Sequence, residues 1–168
     1  LYNRLQVERI PAGLAIEMRG EGAERLPAGE TNLTYQAFRR VFDWHGQPVP
    51  PVRMVSEIQV PLARGLGSSA AAVVGGLIAG NELAGHPLSG DELLQLATGM
   101  EGHPDNVAPA LFGGFTVACL AESGLAWTRL APPPALRAVV VIPEREVSTA
   151  QARAVLPEMV PRRDAVLN

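Results

Sequence analysis

The chain has 168 residues, of which 47% are hydrophobic and 18% charged, so it is not a disordered polypeptide and can form one domain with a proper core, or one domain and the start of another. Its formal net charge of −3 argues against nucleic-acid binding as the main function. All 14 basic residues are arginine, which excludes a Walker-type nucleotide loop because that loop requires a lysine.

Apolar residues recur at every second position in some segments and at helical spacing in others, which predicts grouped strands with intervening helices. In chain order, we expect two strands at about 4–10 and 14–19, a helix at 33–45 and a strand at 52–60. A helix that ends near 83, a helix at 91–100 and a short helical turn after 106 follow. The last elements are strands at 115–121, 126–130 and 138–142, a helix at 149–156 and the opening of another helix at 163–168. Thr31 or Asn32 can cap the first helix, and Gly46 ends it. Ser89 and Glu92 form a capping box for the third helix. The pattern indicates an α+β or mixed α/β domain.

The strongest chemical signal is the run Gly65-Leu66-Gly67-Ser68-Ser69-Ala70, which lies between a predicted strand and a predicted helix. Its glycines let the backbone turn tightly and approach an anion closely. The unpaired N–H groups and the positive dipole end of the following helix can then hold a phosphate, and a serine hydroxyl can ligate Mg²⁺ beside it. Taken alone, these residues leave open a tight turn followed by an ordinary serine N-cap.

A second cluster, Glu101-Gly102-His103-Pro104-Asp105-Asn106, gathers two carboxylates, an imidazole and an amide at the end of a predicted helix. Magnesium prefers oxygen ligands, and phosphoryl transfer depends on charge neutralisation and on positioning of the acceptor. The cluster therefore suits a magnesium and acceptor site. The alternative is a solvated turn in which Asp105 caps the short helix and His103 is exposed.

Other conspicuous residues are expected to be structural. Cys119 cannot form an internal disulfide, and its place in the apolar run 115–120 predicts a buried thiol. Two histidines and two tryptophans are interpreted as surface and packing residues respectively: His45, His86, Trp44 and Trp127. No apolar run is long enough to cross a membrane and no signal peptide is visible, which favours a cytoplasmic protein.

With Pro61 and Arg64 in front of it, the glycine-serine run resembles the phosphate-binding motif of the GHMP kinases, Pro-x-x-x-Gly-Leu-Gly-Ser-Ser-Ala. The run at 101–114, Glu-Gly-His-Pro-Asp-Asn-Val-Ala-Pro-Ala-Leu-Phe-Gly-Gly, resembles the homoserine kinase branch of that superfamily, as does the Ser-Thr-x-x-Ala-Arg pattern at 148–153. The resemblance covers nearly the whole chain. It implies an α+β fold in which residues 1–134 form the ATP-binding N-terminal domain, similar to ribosomal protein S5 domain 2, and residues 135–168 start a ferredoxin-like C-terminal domain.

The resemblance also assigns roles to individual residues. ATP would contact Asn32, Pro61, Arg64, Gly65, Leu66, Gly67, Ser68, Ser69 and Ala70. L-homoserine would contact His103, Asp105, Asn106 and Arg153, and Mg²⁺ would be bound by Ser69 and Glu101. The catalytic residues would be Asn106, Glu101 and Thr149. On spacing alone, Asn32 is equally suited to cap a helix, Thr149 to be an N-cap, and Arg153 to be a surface charge.

The reaction that the resemblance implies transfers a phosphate from ATP to L-homoserine, giving ADP and O-phospho-L-homoserine on the way to threonine. No nucleic acid or membrane partner is expected, and a homodimer is left open. Because the chain does not start with Met and two family motifs are missing, we expect it to be an excerpt that is inactive alone. The alternatives are another GHMP kinase, acting on mevalonate or diphosphocytidyl-methylerythritol, an S5-like RNA-binding module, and a non-catalytic fragment.

Overall fold

The computed structural model describes residues 1–122, 124–142, 144, 152, 154–157 and 159–167. The strands are β1 (Arg4–Arg9), β2 (Leu14–Gly20), β3 (Val52–Ile58), β4 (Phe115–Ala121) and β5 (Gly124–Leu130). The helices are α1 (Leu33–His45), α2 (Ser68–Leu83), α3 (Gly90–Glu101), α4 (Val107–Phe112) and α5 (Arg162–Leu167), with a 3₁₀ turn at Ala23–Arg25. This order confirms the predicted α+β fold class.

Strand β3 is the centre of a three-stranded sheet. It pairs antiparallel with β1, where Val7 lies opposite Met54, and parallel with β2, where Ile16 lies opposite Met54. Val52 and Met54 are buried on the face that α1 covers. The opposite face is charged and exposed, as expected for a sheet that is packed on one side only.

Helix α2 approaches α1 closely because it carries glycines at the contact. A Cβ built on Gly76 would lie 2.2 Å from the carbonyl oxygen of Thr34, and one on Gly80 would lie 2.6 Å from that of Phe38. No larger residue fits at either position without moving a helix. The close packing brings the N-terminus of α2 beside the sheet and beside the start of α1.

Helix α3 begins with the predicted capping box and ends at Gly102, which has a left-handed φ of 81°. The backbone N–H of Glu92 donates to Ser89 Oγ at 3.3 Å, and the Ser89 N–H donates to Glu92 Oε2 at 2.8 Å. The backbone N–H and the hydroxyl of Ser89 together lower the pKa of the Glu92 carboxyl below its ordinary value. The start and end of α3 therefore fix where the acidic loop at 101–106 begins.

The β4–β5 hairpin packs against the unit formed by α3, the acidic loop and α4. The indole of Trp127 stacks on Phe112, with ring centroids 3.8 Å apart and planes 2° from parallel. Its Nε1 donates to Asp91 Oδ1 at 2.9 Å. Trp127 thus contacts both the start of α3 and the end of α4, and the prediction that it packs is confirmed.

Two predictions of burial are wrong. Cys119 is exposed, because among the described residues β4 pairs only with β5, so one face of the hairpin has no covering layer. Val117 lies on that same face and is 52% exposed. The prediction that Trp44 packs is also wrong, since this residue is 54% exposed at the end of α1. His45 and His86 lie at the surface, as predicted.

Some predicted element bounds also change. Residues 138–142 form no strand, because none of the described segments pairs with them and all five side chains are exposed. Strand β3 ends two residues early, and β5 starts two residues early. Helix α5 confirms the opening predicted near 163. In the described part of the chain, no helix is long and apolar enough to span a bilayer.

Candidate functional site

A cavity of about 460 Å³ lies where the start of α1, the start of α2 and the acidic loop meet. Its volume is in the range of small-molecule sites. Most of the predicted site residues line it: Asn32, Arg64, Gly65, Leu66, Gly67, Ser68, Ser69, Glu101, His103 and Asn106. Three predicted site residues are not on its wall: Pro61, Ala70 and Asp105. Thr149 and Arg153 lie outside the described residues.

The glycine-serine loop turns sharply into α2. Gly65 and Gly67 have left-handed φ values of 70° and 72°, a conformation that side chains with a Cβ rarely adopt. Gly67 is the N-cap of α2 and supplies no side-chain cap. The first N–H groups of the helix are thus left for an anion, where the helix dipole also favours negative charge.

The alternative of an ordinary serine N-cap is wrong. Ser68 follows the N-cap, and its hydroxyl donates to the carbonyl oxygen of Val60 at 3.3 Å. The hydroxyl therefore holds the entrance of the loop and caps no N–H group of the helix.

Ser69 and Glu101 come together at the cavity wall. The Ser69 hydroxyl donates to Glu101 Oε2 at 3.1 Å. Over the described residues, no group of three or more His, Cys, Asp and Glu side chains could hold a metal ion. A hydroxyl and one carboxylate do match the ligand set of Mg²⁺, which takes one or two protein ligands and completes its shell with phosphate and water. These two residues could hold that ion.

The acidic loop is ordered by contacts among its own side chains. Asp105 Oδ1 is hydrogen-bonded to His103 Nδ1, and Asn106 Nδ2 donates to the same oxygen at 3.4 Å. The His103 side chain is 17% exposed and that of Asp105 is 63% exposed. Since the carboxylate occupies Nδ1, Nε2 is the imidazole nitrogen left for a ligand.

The alternative of a solvated turn is wrong in both of its parts. His103 is mostly buried, and the N-cap of α4 is Asn106, with no side-chain cap from Asp105. Asn106 also approaches the glycine-serine loop: its Oδ1 would lie 3.5 Å from a Cβ built on Gly67. The acidic loop and the glycine-serine loop therefore share one wall of the cavity.

Asn32 caps α1, as one of its two predicted roles required. Its Oδ1 accepts from the Tyr35 N–H at 3.2 Å, and its Nδ2 donates to the carbonyl oxygen of Pro27 at 2.8 Å. The residue is buried and lies on the cavity wall. With both ends of its amide in use, it can contact a ligand chiefly by packing.

Sequence reasoning missed Asn3, which also lines the cavity. Its side-chain oxygen accepts from the backbone N–H groups of Gln59 and Val60 at 2.9 and 3.1 Å. No local pattern could have indicated this contact, because 57 residues separate Asn3 from Val60. Only the pairing of β1 with β3 brings them together.

Comparisons with known proteins show which family this chain resembles in sequence and in fold. The profile of the family described as GHMP kinases N terminal domain matches residues 32–114. The chain is 46% identical over 167 residues to the homoserine kinase of Carboxydothermus hydrogenoformans, covering 99% of this chain and 55% of that protein. It is 48% identical over 171 residues to the homoserine kinase of Nostoc punctiforme, covering 100% of this chain and 56% of that protein.

A solved homoserine kinase structure is also similar to this chain. The crystal structure of homoserine kinase from Cytophaga hutchinsonii matches with a TM-score of 0.83 and 31% identity. The match covers 98% of this chain and 54% of that chain. The present chain therefore spans about half the length of the relatives it matches.

Proposed function

We propose a function from one premise: this chain belongs to the GHMP kinase family and is homologous to homoserine kinases along its whole length. On that premise, the protein containing it would phosphorylate L-homoserine with ATP. The products would be ADP and O-phospho-L-homoserine, in the cytoplasmic formation of threonine. One observation carries the proposal: a single cavity is lined by a helix N-terminus without a side-chain cap, by the Ser69–Glu101 pair, and by His103 and Asn106. The last two side chains would contact the substrate that accepts the phosphate.

ATP would bind with its phosphates at the start of α2. The residues at 65–69 line the cavity and precede or begin the helix, so their backbone N–H groups and the helix dipole would stabilise the phosphate charge. The sequence has no lysine to do so. Asn32 would contact the nucleotide on the other side of the cavity, beside the start of α1.

Mg²⁺ would be held by Ser69 Oγ and the Glu101 carboxylate, where it would neutralise the charge that develops on the phosphates. Because the Ser69 hydroxyl already donates its proton to Glu101, its lone pairs are left for a cation. Pro61, Arg64 and Ala70 complete the proposed ATP-binding segment. Arg64 Nη2 also donates to the carbonyl oxygen of Glu144 at 2.5 Å and so links the loop to the segment after β5.

L-homoserine carries a carboxylate, an ammonium and a hydroxyl, and the proposal assigns residues to each. Arg153 would bind the carboxylate through its guanidinium fork, and the Asp105 carboxylate would neutralise the charge of the ammonium. The bonds of Asp105 to His103 and Asn106 give it a further role, which is to orient both neighbours.

Asn106 would position the hydroxyl for attack, because its amide lies beside Gly67 and so beside the proposed phosphate site. Thr149 would lie near the transferred phosphate. Phosphoryl transfer depends chiefly on positioning and electrostatic stabilisation, so this set of side chains can support it without a covalent intermediate on the protein.

The test offers the protein containing this chain Mg·ATP and four acceptors at equal concentration: L-homoserine, mevalonate, galactose and diphosphocytidyl-methylerythritol. ADP release with each acceptor is measured against an acceptor-free control. We expect the fastest ADP release with L-homoserine. A preference for another acceptor would overturn the assigned substrate and keep the kinase, and no transfer to any of them would overturn both.

A further inference from the structure

Asn3 holds the point at which the chain leaves the sheet and enters the glycine-serine loop. Strand β3 ends at Ile58, and the next two backbone N–H groups, of Gln59 and Val60, both donate to Asn3 Oδ1. Since both partners are donors, the atom that faces them must be the amide oxygen. One side chain thus accepts hydrogen bonds from two successive N–H groups that no strand pairs within the described part of the chain.

Val60 passes this contact on to the loop. Its N–H is bound by Asn3 at 3.1 Å, and its carbonyl oxygen accepts from the Ser68 hydroxyl at 3.3 Å. Residues 61–67 therefore form a loop whose two ends meet at one buried residue, Val60, which is 8% exposed. Because both ends are fixed, the free loop has fewer conformations, so it loses less conformational entropy when it binds a ligand.

The place of Asn3 is set by the sheet. Arg4 lies opposite Glu57 in the β1–β3 ladder, so Asn3, one residue earlier, lies beside the end of β3. Asn3 also lines the cavity, and its side chain is only partly exposed. It is therefore tied both to the sheet and to the wall of the proposed nucleotide site.

We propose that Asn3 is a positioning residue for nucleotide binding. It fixes Val60, and through Val60 it holds the loop in the conformation that presents the backbone N–H groups of residues 65–69 to phosphate. The inference rests on the proposed function, because it requires a nucleotide as the ligand of this loop.

The test compares three variants of the protein containing this chain. Asn3→Leu has a similar shape but no acceptor, and Asn3→Asp keeps an oxygen that can accept both N–H groups. Gln59→Ala is the matched control: Gln59 Oε1 accepts from the Tyr2 N–H at 3.4 Å, so its side chain links the same two segments, and its removal leaves both backbone N–H groups that donate to Asn3. Melting temperatures of all three are measured together with the Kd for Mg·ATP and both substrate KM values.

We expect Asn3→Leu to raise the Kd and KM for Mg·ATP about tenfold, as the loss of hydrogen bonds worth roughly 1.4 kcal/mol would. The KM for L-homoserine should stay within twofold. Asn3→Asp should bind Mg·ATP within threefold of the wild type, and Gln59→Ala within twofold. A side chain that served stability alone would not separate the two KM values.

Wild-type affinity in Asn3→Leu would overturn the inference. So would equal weakening by Asn3→Asp or by Gln59→Ala, because the effect would then not follow the acceptor on Val60. If Asn3→Leu does not fold, Asn3→Ala replaces it with the same expectation. A wild-type protein that does not bind Mg·ATP would overturn the proposed function itself, whereas one that binds it but prefers another acceptor leaves this inference standing.

Discussion

Ser69 and Glu101 are 32 residues apart in the chain, yet the serine hydroxyl donates to the carboxylate at 3.1 Å. Ser69 is the second residue of α2, and Glu101 is the last residue of α3. A carboxylate at a helix C-terminus meets the negative end of the helix dipole, and the last turn of α3 has no basic residue to offset it. A bound cation would remove this unfavourable interaction, which supports a functional role for Glu101.

Glu101→Gln should therefore lower kcat and raise the Mg²⁺ concentration needed for activity. Loss of one preorganised electrostatic group costs roughly 10²–10³ in kcat at comparable sites. Stability should not fall, because the variant removes a charge from the wrong end of a helix dipole. Steady-state kinetics over a Mg²⁺ series and a thermal melt measure both. Glu82→Gln, at an exposed carboxylate on α2, is the control. A kcat for Glu101→Gln within threefold of the wild type would show that the residue is misassigned.

Gly67→Ala should weaken the binding of Mg·ATP, because it places a methyl group on the wall that faces the proposed phosphates. Gly46→Ala is a matched control, since the two glycines have φ values of 72° and 67° and neither has a clashing neighbour. Both variants should lose about 1–2 kcal/mol of folding free energy, the cost of a left-handed conformation for a residue with a Cβ. Calorimetric titration with Mg·ATP should separate them. Equal affinity in the two variants would contradict the placement of phosphate at Gly67.

The Ser89–Glu92 capping box should stabilise the fold in a pH-dependent way. Hydrogen bonds from Ser89 lower the pKa of Glu92 below its ordinary value of 4.5, so the unfolded chain binds the proton more tightly than the folded one. This stabilisation is full above the unfolded-state pKa and is lost as the pH falls through the folded-state pKa. Glu92→Gln, which removes the titrating carboxylate, should therefore lower the free energy of unfolding at neutral pH and lower it less in acid. Urea unfolding at about pH 7 and pH 3 tests this, and an equal cost at both would refute it.

Trp127→Leu should destabilise the protein far more than Trp44→Leu. Trp127 loses its stack on Phe112 and its hydrogen bond to Asp91, together worth roughly 2 kcal/mol. Trp44 is 54% exposed, so its replacement should change the free energy of unfolding by no more than about 0.5 kcal/mol. Urea unfolding of the two variants measures the difference. Similar losses would mean that the hairpin does not hold the α3–loop–α4 unit.

Arg153→Leu should raise the KM for L-homoserine much more than the KM for ATP. A charged hydrogen bond to the substrate carboxylate is worth about 1.5–3 kcal/mol, or roughly 10–150-fold. Arg163→Leu, at an exposed arginine in α5, is the control. Substrate titrations of both variants decide the matter, and an equal rise in both KM values would remove Arg153 from the acceptor site.

Much of the fold could be predicted because its signals are local. The caps of α1 and α3 use residues three apart, such as Asn32 with Tyr35 and Ser89 with Glu92, so they are legible in a short window. The glycine-serine loop and the acidic loop are each contiguous, so the sequence could also predict that they lie at a site. The failures concern Cys119, Trp44 and the strand expected at 138–142, where burial and pairing depend on segments distant in the chain.

The sequence by itself determined which residues are candidates for the chemistry, because the residue types and their neighbours predict a phosphate-binding loop and an acidic loop. The tertiary structure alone decided that Ser69 lies against Glu101, that Asn106 approaches Gly67, and that Asn3 holds Val60. Each of these pairs joins residues more than 30 positions apart. Close packing of α2 on α1 and the β1–β3 register place them together, and neither is encoded in any local stretch of the chain.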